Sequence, residues 1–425
     1  MIEIQQTGKE LCLLVGVSTR STSKHQTEES LDELALLADT AGADVIARII
    51  QDRDHFDAAT FIGKGKVGEL SYLVKEKNIP LVIFDDDLSA IQVRNLEGEF
   101  ECKVLDRSAL ILDIFAARAK TNEAKTQVEL AQLQYLLPRL TRQWTHLSKQ
   151  YGGIGTKGPG ETQIETDRRM IKTRIGHLKE KIDRIGRQRI TQRKGRTKHT
   201  RGAMVGYTNT GKSTLLNLLS GSDVFVENRL FATLDPTTRL VPLTSGMDIL
   251  ITDTVGFIRK LPHHLIASFK STLEEITEAD FLLHVVDISS GHFDDQIRVV
   301  RQTLDEIHGD DKPTLIVFNK IDRLVDRGIV PGLAKDYPHS VFISASRGIN
   351  ILGLKESLVR LLHDEFVENE LKVSQQHQKL ISRLYEEGEI LEVKYENNSV
   401  LMRIRLPRKD TDRIMQLVKE AEKLS

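Results

Sequence analysis

Cysteine is almost missing from the chain. Cys12 and Cys102 are its two cysteines, too few for a disulfide framework or a four-cysteine zinc site. Glycine and proline, 28 and 10 residues, show no excess, which excludes a collagen-like repeat or a low-complexity scaffold. No apolar stretch reaches the ~18 residues that a membrane-spanning helix needs before a charge breaks it. The opening MIEIQQTGKE has no apolar core of a secretory signal. A reducing cytoplasm and no stable membrane insertion are therefore expected. What is present is a globular composition, 40% hydrophobic and 28% charged over 425 residues, long enough for two to four domains at ~150 residues each.

A net charge of −1 conceals a sharp segregation. Residues 1–113 hold 12 basic and 21 acidic side chains, whereas residues 114–201 hold 21 basic and 7 acidic. A segment at +14 points to contact with a polyanion; a solvated helix surface is the plainer reading of the same count.

Residues 10–115 alternate short apolar runs with helical patterns. CLLVGV, DVIARII and PLVIFD read as strands, and ESLDELALLADTAG, GKVGELSYLVKEKN and SAIQVRNLEGEF as helices. Such alternation predicts an α/β layer with a mostly parallel sheet. The turn FIGKGKVGEL interleaves Gly63, Gly65 and Gly68 with Lys64 and Lys66. It is able to hold a phosphate at a helix N-terminus, although a tight connection is the commoner use of such a turn. From Leu130, a seam of Leu133, Leu137, Leu140, Trp144 and Leu147 follows heptad spacing, with a kink or break expected near Leu137 because Pro138 interrupts it. The seam resumes after YGGIGTKGPG as Ile164, Ile171, Ile175, Leu178, Ile182 and Ile185, which predicts an antiparallel helical hairpin. Its glycine-rich, lysine-bearing tip suits insertion into a partner, and a dimerising coiled coil is the alternative. Arg187 to Arg201 adds seven basic residues with no acid and no aromatic. Charge without stacking groups suits the backbone and shape of structured RNA, not DNA sequence readout.

The strongest motif is Gly206-Tyr207-Thr208-Asn209-Thr210-Gly211-Lys212-Ser213, followed by Thr214 and an apolar helix. This is GxxxxGK[ST] between a strand end and a helix. Its amides cradle phosphates, Lys212 neutralises the β/γ oxygens and the Ser213 hydroxyl suits Mg²⁺. MDILIT ends in Asp253-Thr254-Val255-Gly256, placing a carboxylate to hold a Mg²⁺-bound water and a glycine amide to face the γ-phosphate. TLIVF ends in Asn319-Lys320-Ile321-Asp322, and SVFI in Ser344-Ala345-Ser346. The Asp322 carboxylate is able to accept hydrogen bonds from guanine N1 and N2, which adenine does not offer. Four strands that each end in a polar motif form a ligand edge of an open α/β sheet, here a guanine-nucleotide site for GTP and GDP. Phe231-Ala232-Thr233-Leu234-Asp235-Pro236-Thr237-Thr238-Arg239 must contain the γ-phosphate-sensing threonine. Thr233, Thr237 and Thr238 all qualify chemically.

Taken together, GYTNTGKST, FATLDPTTR, DTVGFI, NKID and SAS, preceded by QLQYLLPRLTRQW and GGIGTKGPGETQIETDRR, resemble the bacterial HflX GTPases. The resemblance covers the whole layout, and its hairpin motifs are more specific than the shared GTPase ones. It implies that Thr233 is the switch threonine and second Mg²⁺ ligand, that Phe231 to Asp235 belong to the nucleotide switch, and that the Ala345 backbone helps to read guanine O6. It implies association with the large ribosomal subunit, the hairpin meeting ribosomal RNA, roles on stalled or heat-damaged ribosomes, and sometimes ATP use through the N-terminal region. Position 210, often alanine in this family, is threonine. The expected layout is an N-terminal α/β domain (1–115), a basic helical hairpin (116–200), a doubly wound P-loop GTPase domain (201–365) and a small α+β domain (366–425). In the last, EILEVKYE and SVLMRIRL pair as strands and RIMQLVKEAEKL closes as a helix. A monomer is expected, because the hairpin is able to satisfy its own seam.

Many GTPases carry a glutamine after DxxG to orient the attacking water; Phe257 occupies that position and cannot hydrogen-bond water. Slow intrinsic hydrolysis, accelerated by a partner, follows from this reading, with His263, His264 or a switch residue acting in cis as the rival. The alternative function is a nucleotide-regulated RNA chaperone or assembly factor.

Overall fold

The structure, a computed structural model, describes residues 9–20, 22–143, 159–193, 200–222, 229–243, 248–260, 262, 270–307, 309, 311–396 and 399–423. It groups into two compact units. The first comprises Met1–Gln188, Val226–Pro236 and Thr254–Glu274, and the second Arg189–Phe225, Thr237–Asp253 and Glu275–Ser425.

The first unit opens with β1 (Glu10–Ser18), α1 (Lys24–Ala41), β2 (Ala43–Asp52), α2 (Lys64–Glu76), β3 (Leu81–Phe84), α3 (Ala90–Phe100) and β4 (Lys103–Asp106). The strands form an all-parallel sheet in the order β2-β1-β3-β4. Its central strands are buried on both faces, which explains why they read as continuous apolar runs. Ser23 and Gln26 form a capping box at the start of α1. Two elements have weak sequence signals. β4 passes into α4 (Arg107–Arg118) with no loop, Asp106 being both the last strand residue and the helix cap.

Helix α5 (Asn122–Gln143) packs on α3 and α4. Of the kink or break expected near Leu137, the break does not occur: the helix passes through Pro138 to Gln143. Proline lacks the N–H for its own helical bond and crowds the preceding turn. The Arg139 guanidinium donates to the Tyr135 carbonyl at 3.0 Å and to Asp106 at 2.9 Å, which ties this part of α5 to the start of α4. Helix α6 (Pro159–Arg193) pairs with α5 through Arg174 and Glu129, 2.7 Å apart, and Leu130 and Leu178 of the two seams are buried. Trp144, Leu147, most of the glycine-rich tip and residues 194–199 lie outside the described residues.

The second unit carries β5 (Arg201–Val205), α7 (Lys212–Ser220), β6 (Thr237–Pro242) and β7 (Asp248–Asp253). After α8 (Lys270–Thr277) come β8 (Phe281–Asp287), α9 (Phe293–Glu306), β9 (Thr314–Asn319), α10 (Val330–Asp336), β10 (Ser340–Phe342) and α11 (Ile351–Glu365). The sheet order is β10-β9-β8-β5-β7-β6, parallel except for the edge strand β6. One face packs on α7 and α11 through Leu215, Leu219, Leu354 and Leu358, and the other holds Ile297, Phe318 and Ile316. This is the doubly wound α/β arrangement. The C-terminal part adds β11 (Phe366–Ser374), α12 (Gln378–Glu387), β12 (Glu389–Glu396), β13 (Ser399–Pro407) and α13 (Arg408–Lys423). Its antiparallel sheet has the order β11-β13-β12. The two expected strands pair with one another, and β11 and α12 are additional to the sequence reading.

Candidate functional site

Within the second unit, the carboxyl edge of the sheet gathers the loops after β5, β9 and β10 and the end of β7 at Asp253. Residues Gly206 to Gly211 turn from β5 into α7. Gly206 allows a close approach, because a Cβ there would lie 2.2 Å from the Val285 carbonyl oxygen. Gly211 caps α7 at φ +93°, and a Cβ would come within 2.5 Å of Asn319 Nδ2. Any side chain at either position would open the loop.

Lys212 is 7% exposed, with Nζ donating to the Gly206 and Tyr207 carbonyls at 3.1 and 2.8 Å. Burial pushes its ammonium down to about 8, with Asp253 opposing the shift. The side chain therefore lies folded along the loop whose amides it would share with a phosphate. Thr210 Oγ1 donates to the Tyr207 carbonyl at 3.0 Å, so threonine at this position ties the loop internally. Ser213 Oγ, at the start of α7, donates to Asp253 Oδ2 at 2.5 Å. A hydroxyl and a buried carboxylate converging in this way form a hard oxygen donor set that suits Mg²⁺ together with phosphate oxygens.

Asn319 and Lys320 act mainly on the loop itself. Asn319 Nδ2 donates to the Thr210 carbonyl at 2.8 Å, while its Oδ1 accepts from the Ala345 amide at 2.9 Å. One buried side chain thus locks the phosphate loop to the Ser344–Ser346 loop. Lys320 Nζ donates to the Asn209 carbonyl at 2.8 Å and pairs with Asp287 at 2.7 Å. Asp287, at the end of β8, is a member of the site that no motif in the sequence marked. The Ser344 hydroxyl, foremost among several hydrogen bonds and nearby arginines, holds the Asp322 carboxyl below its ordinary value despite some desolvation. Asp322 Oδ1 is buried with no hydrogen-bond partner. An ionised acceptor with this capacity unspent matches the N1–H and N2–H₂ edge of guanine. Thr208 Oγ1 is also buried without a partner in the phosphate loop.

The switch candidates fall on different elements. Thr237 and Thr238 open β6 and pair with Asp253 and Thr252 in the ladder, and Thr238 Oγ1 lies 2.8 Å from Thr252 Oγ1. Thr233 stands outside that strand, in the segment grouped with the first unit. Within that unit Phe231 packs edge-on against Phe115, with centroids 4.7 Å apart. Asp235 accepts from the Lys120 amide at 3.1 Å and from the Thr121 hydroxyl. Thr254, Gly256 and Phe257 are also grouped with the first unit, and Phe257 is 2% exposed. His263 and His264 lie outside the described residues. At the N-terminal glycine turn the Gly63 amide donates to Gln51 Oε1 at 2.9 Å, and Lys66 pairs with Glu69. Both groups are engaged with the protein.

Residues 28–116 match the family model described as GTP-binding GTPase N-terminal, residues 118–196 the GTP-binding GTPase middle region and residues 201–320 the 50S ribosome-binding GTPase model. Among curated proteins, the chain is 53% identical to GTPase HflX of Flavobacterium psychrophilum over 322 residues, covering 76% of this chain and 78% of that protein. It is 44% identical to GTPase HflX of Lacrimispora saccharolytica over 409 residues, covering 96% of each. A solved structure of a GTP-binding protein from the hyperthermophilic archaeon Sulfolobus solfataricus in complex with GDP matches 84% of this chain and 99% of that one, at 24% identity and a TM-score of 0.45.

Proposed function

The chain belongs to the HflX family of GTPases, and from that premise we propose that its GTP hydrolysis is slow alone and is stimulated by the large ribosomal subunit. It binds guanine nucleotide and hydrolyses GTP to GDP and phosphate. In the proposed cycle the amides from Gly206 to Thr214 and the Lys212 ammonium hold the phosphates. Asp322, Ser344 and the Ala345 and Ser346 backbone read the base, with Asn319, Lys320 and Ile321 shaping that pocket. Mg²⁺ held by the Ser213 and Thr233 hydroxyls, with Asp253 acting through water, would neutralise charge on the β- and γ-phosphates. Thr233 and the Gly256 amide would sense the γ-phosphate, with Ala232, Leu234, Thr254 and Val255 shaping their loops.

The observation that carries the partner requirement is Phe257. It follows DTVG where a water-orienting side chain would stand, and it is buried. A buried phenyl ring neither orients nor activates water, so the missing group comes from repositioned switches or from the partner. The expected partner surface is the positive hairpin, where 21 basic residues face 7 acidic ones over residues 114–201. GTP would favour the bound state and hydrolysis would release it, in rescue of stalled or damaged ribosomes or in subunit assembly.

GTP, not ATP, is the substrate we propose throughout. At the carboxyl ends of β3 and β4 the buried Asp85 and Asp106 are paired with Arg107, Lys260 and Arg139, so these cations are already engaged by carboxylates. A cytoplasmic, monomeric protein fits this role, and among the described residues no helix is long and apolar enough to cross a membrane. Co-sedimentation with purified large subunits tests the association. Binding that is tighter with a non-hydrolysable GTP analogue than with GDP, and that weakens steeply with salt, is expected. Absence of binding in either nucleotide state would refute it.

A further inference from the structure

Within the second unit, a cavity of about 740 Å³ is bounded by β8, β9, α9 and the segment that leads from α10 into β10. Its volume is ordinary for a small-molecule site, and no residue of the nucleotide motifs lines it. Leu304, Ile316 and the Tyr337 ring form the apolar part of the wall. Tyr337 is fixed by its hydroxyl, which donates to Asp294 at 3.2 Å, and by Phe318, packed against it with ring centroids 5.5 Å apart. Arg301 and Lys312 add two cations to the wall, and Asp305 and Asp336 two carboxylates. Arg301 and Asp305 stand four residues apart on α9, a spacing at which opposite charges usually meet. Yet among the described residues none of the four forms an ion pair. His284 marks the deep end: it is 2% exposed and stands opposite Ile316 in the ladder between β8 and β9. Burial, then Arg301 and Lys212, hold its imidazole well below the usual histidine range, and no carboxylate opposes them. The field at the deep end is therefore positive, whereas Asp305 and Asp336 are exposed. Low-dielectric walls focus such a field.

We propose that this cavity is a second ligand site, for a small organic anion whose carboxylate or phosphate group meets Arg301 and Lys312 beside His284 and whose flat apolar body lies on Leu304, Ile316 and Tyr337. A guanidinium fork matches either anionic group, and the neutral imidazole adds one N–H donor without adding charge. The two exposed carboxylates repel a polyanion such as a nucleic-acid strand and leave room for a single anionic group. The site is separate from the nucleotide edge. His284 lies three residues before Asp287, which pairs with Lys320 at that edge, so the two ligands use different ends of one strand. The inference depends neither on GTP turnover nor on a macromolecular partner.

The test uses the full-length protein with saturating GDP and Mg²⁺, so that the phosphate loop is filled. Benzoate and phenyl phosphate are the probes and benzamide the uncharged control, each titrated to about 20 mM while the Cε1–H resonance of His284 is followed by NMR. Saturable shifts with a Kd of about 1 mM or tighter are expected for at least one anion, and the tighter of the two identifies the preferred anionic group. Benzamide is expected to bind at least about tenfold more weakly, and Arg301→Gln to weaken the anion by about tenfold. Arg298→Gln, which removes an exposed arginine of the same helix outside the cavity, is expected to change binding by less than about twofold. If Arg301→Gln fails to fold, Lys312→Gln takes its place. No saturable shift with either anion, benzamide binding as tightly as the anions, or equal losses in the two arginine variants would overturn the proposal and leave the cavity to water.

Discussion

The guanine specificity proposed above rests on one atom of Asp322. With Oδ1 buried and unsatisfied, the site has an acceptor in place before the base arrives, and an adenine would leave it so. Asp322→Asn turns one acceptor into a donor, which opposes the guanine N2 amino group and suits the carbonyl of xanthine. Loss of two charge-assisted hydrogen bonds amounts to about 3 kcal/mol, roughly a hundredfold in GTP affinity. Competition binding is expected to show that loss together with improved XTP binding; unchanged GTP affinity would remove Asp322 from the base pocket. At this scale the sequence was largely legible, because glycine, lysine and serine at fixed spacing have few other uses. Gly211 illustrates why: the structure needs a left-handed cap and no Cβ beside Asn319. Asp287 and Lys260 were not legible, since an isolated charge in a sequence does not reveal which distant side chain it meets.

Strand β8 carries a residue with a measurable cost. His284 is 2% exposed on a strand between β5 and β9. Burial, followed by the nearby cations Arg301 and Lys212, pushes its imidazole down to about 3. The folded chain therefore keeps His284 neutral, while the unfolded chain protonates it near the ordinary histidine value. Stability from this residue is complete above pH ~6.5 and falls by up to ~1.4 kcal/mol per pH unit below it, until the folded imidazole also titrates. His284→Gln is expected to reduce the drop in Tm between pH 7.5 and 5; an undiminished drop would show that other groups govern acid sensitivity.

Other elements differ in how plainly their sequences announced them. β1 and β3 were clear because burial on both faces leaves only apolar residues. α4 was obscured by Arg107, a charge inside an apolar helix whose partners are Ser30 and Glu33 of α1, Asp85 just after β3 and the Arg259 carbonyl. β11 was obscured because it follows α11 directly, with no turn residues between Glu365 and Phe366. At Pro138 a local rule allowed a kink or a break, and the helix continues unbroken to Gln143.

Across the whole molecule, the sequence places all nucleotide motifs in one segment, 201–365, whereas the chain's contacts group them differently. The phosphate loop, Asp253 and the base-reading loops fall in the second unit, and residues 226–236 and 254–274 are grouped with the N-terminal sheet. Asp235 and Lys260 contact residues more than a hundred positions earlier in the chain, Thr121 and Asp85. Long-range pairing of this kind is invisible to periodicity, which reports only local structure. The central claim, that a partner supplies what Phe257 lacks, is tested most directly by GTP turnover under multiple-turnover conditions. It is measured with and without purified large ribosomal subunits, with Lys212→Ala as the blank. Stimulation of at least about tenfold, abolished in the blank, is predicted. An unstimulated rate equal to the rate with subunits would contradict the account and place the catalytic group within the chain itself.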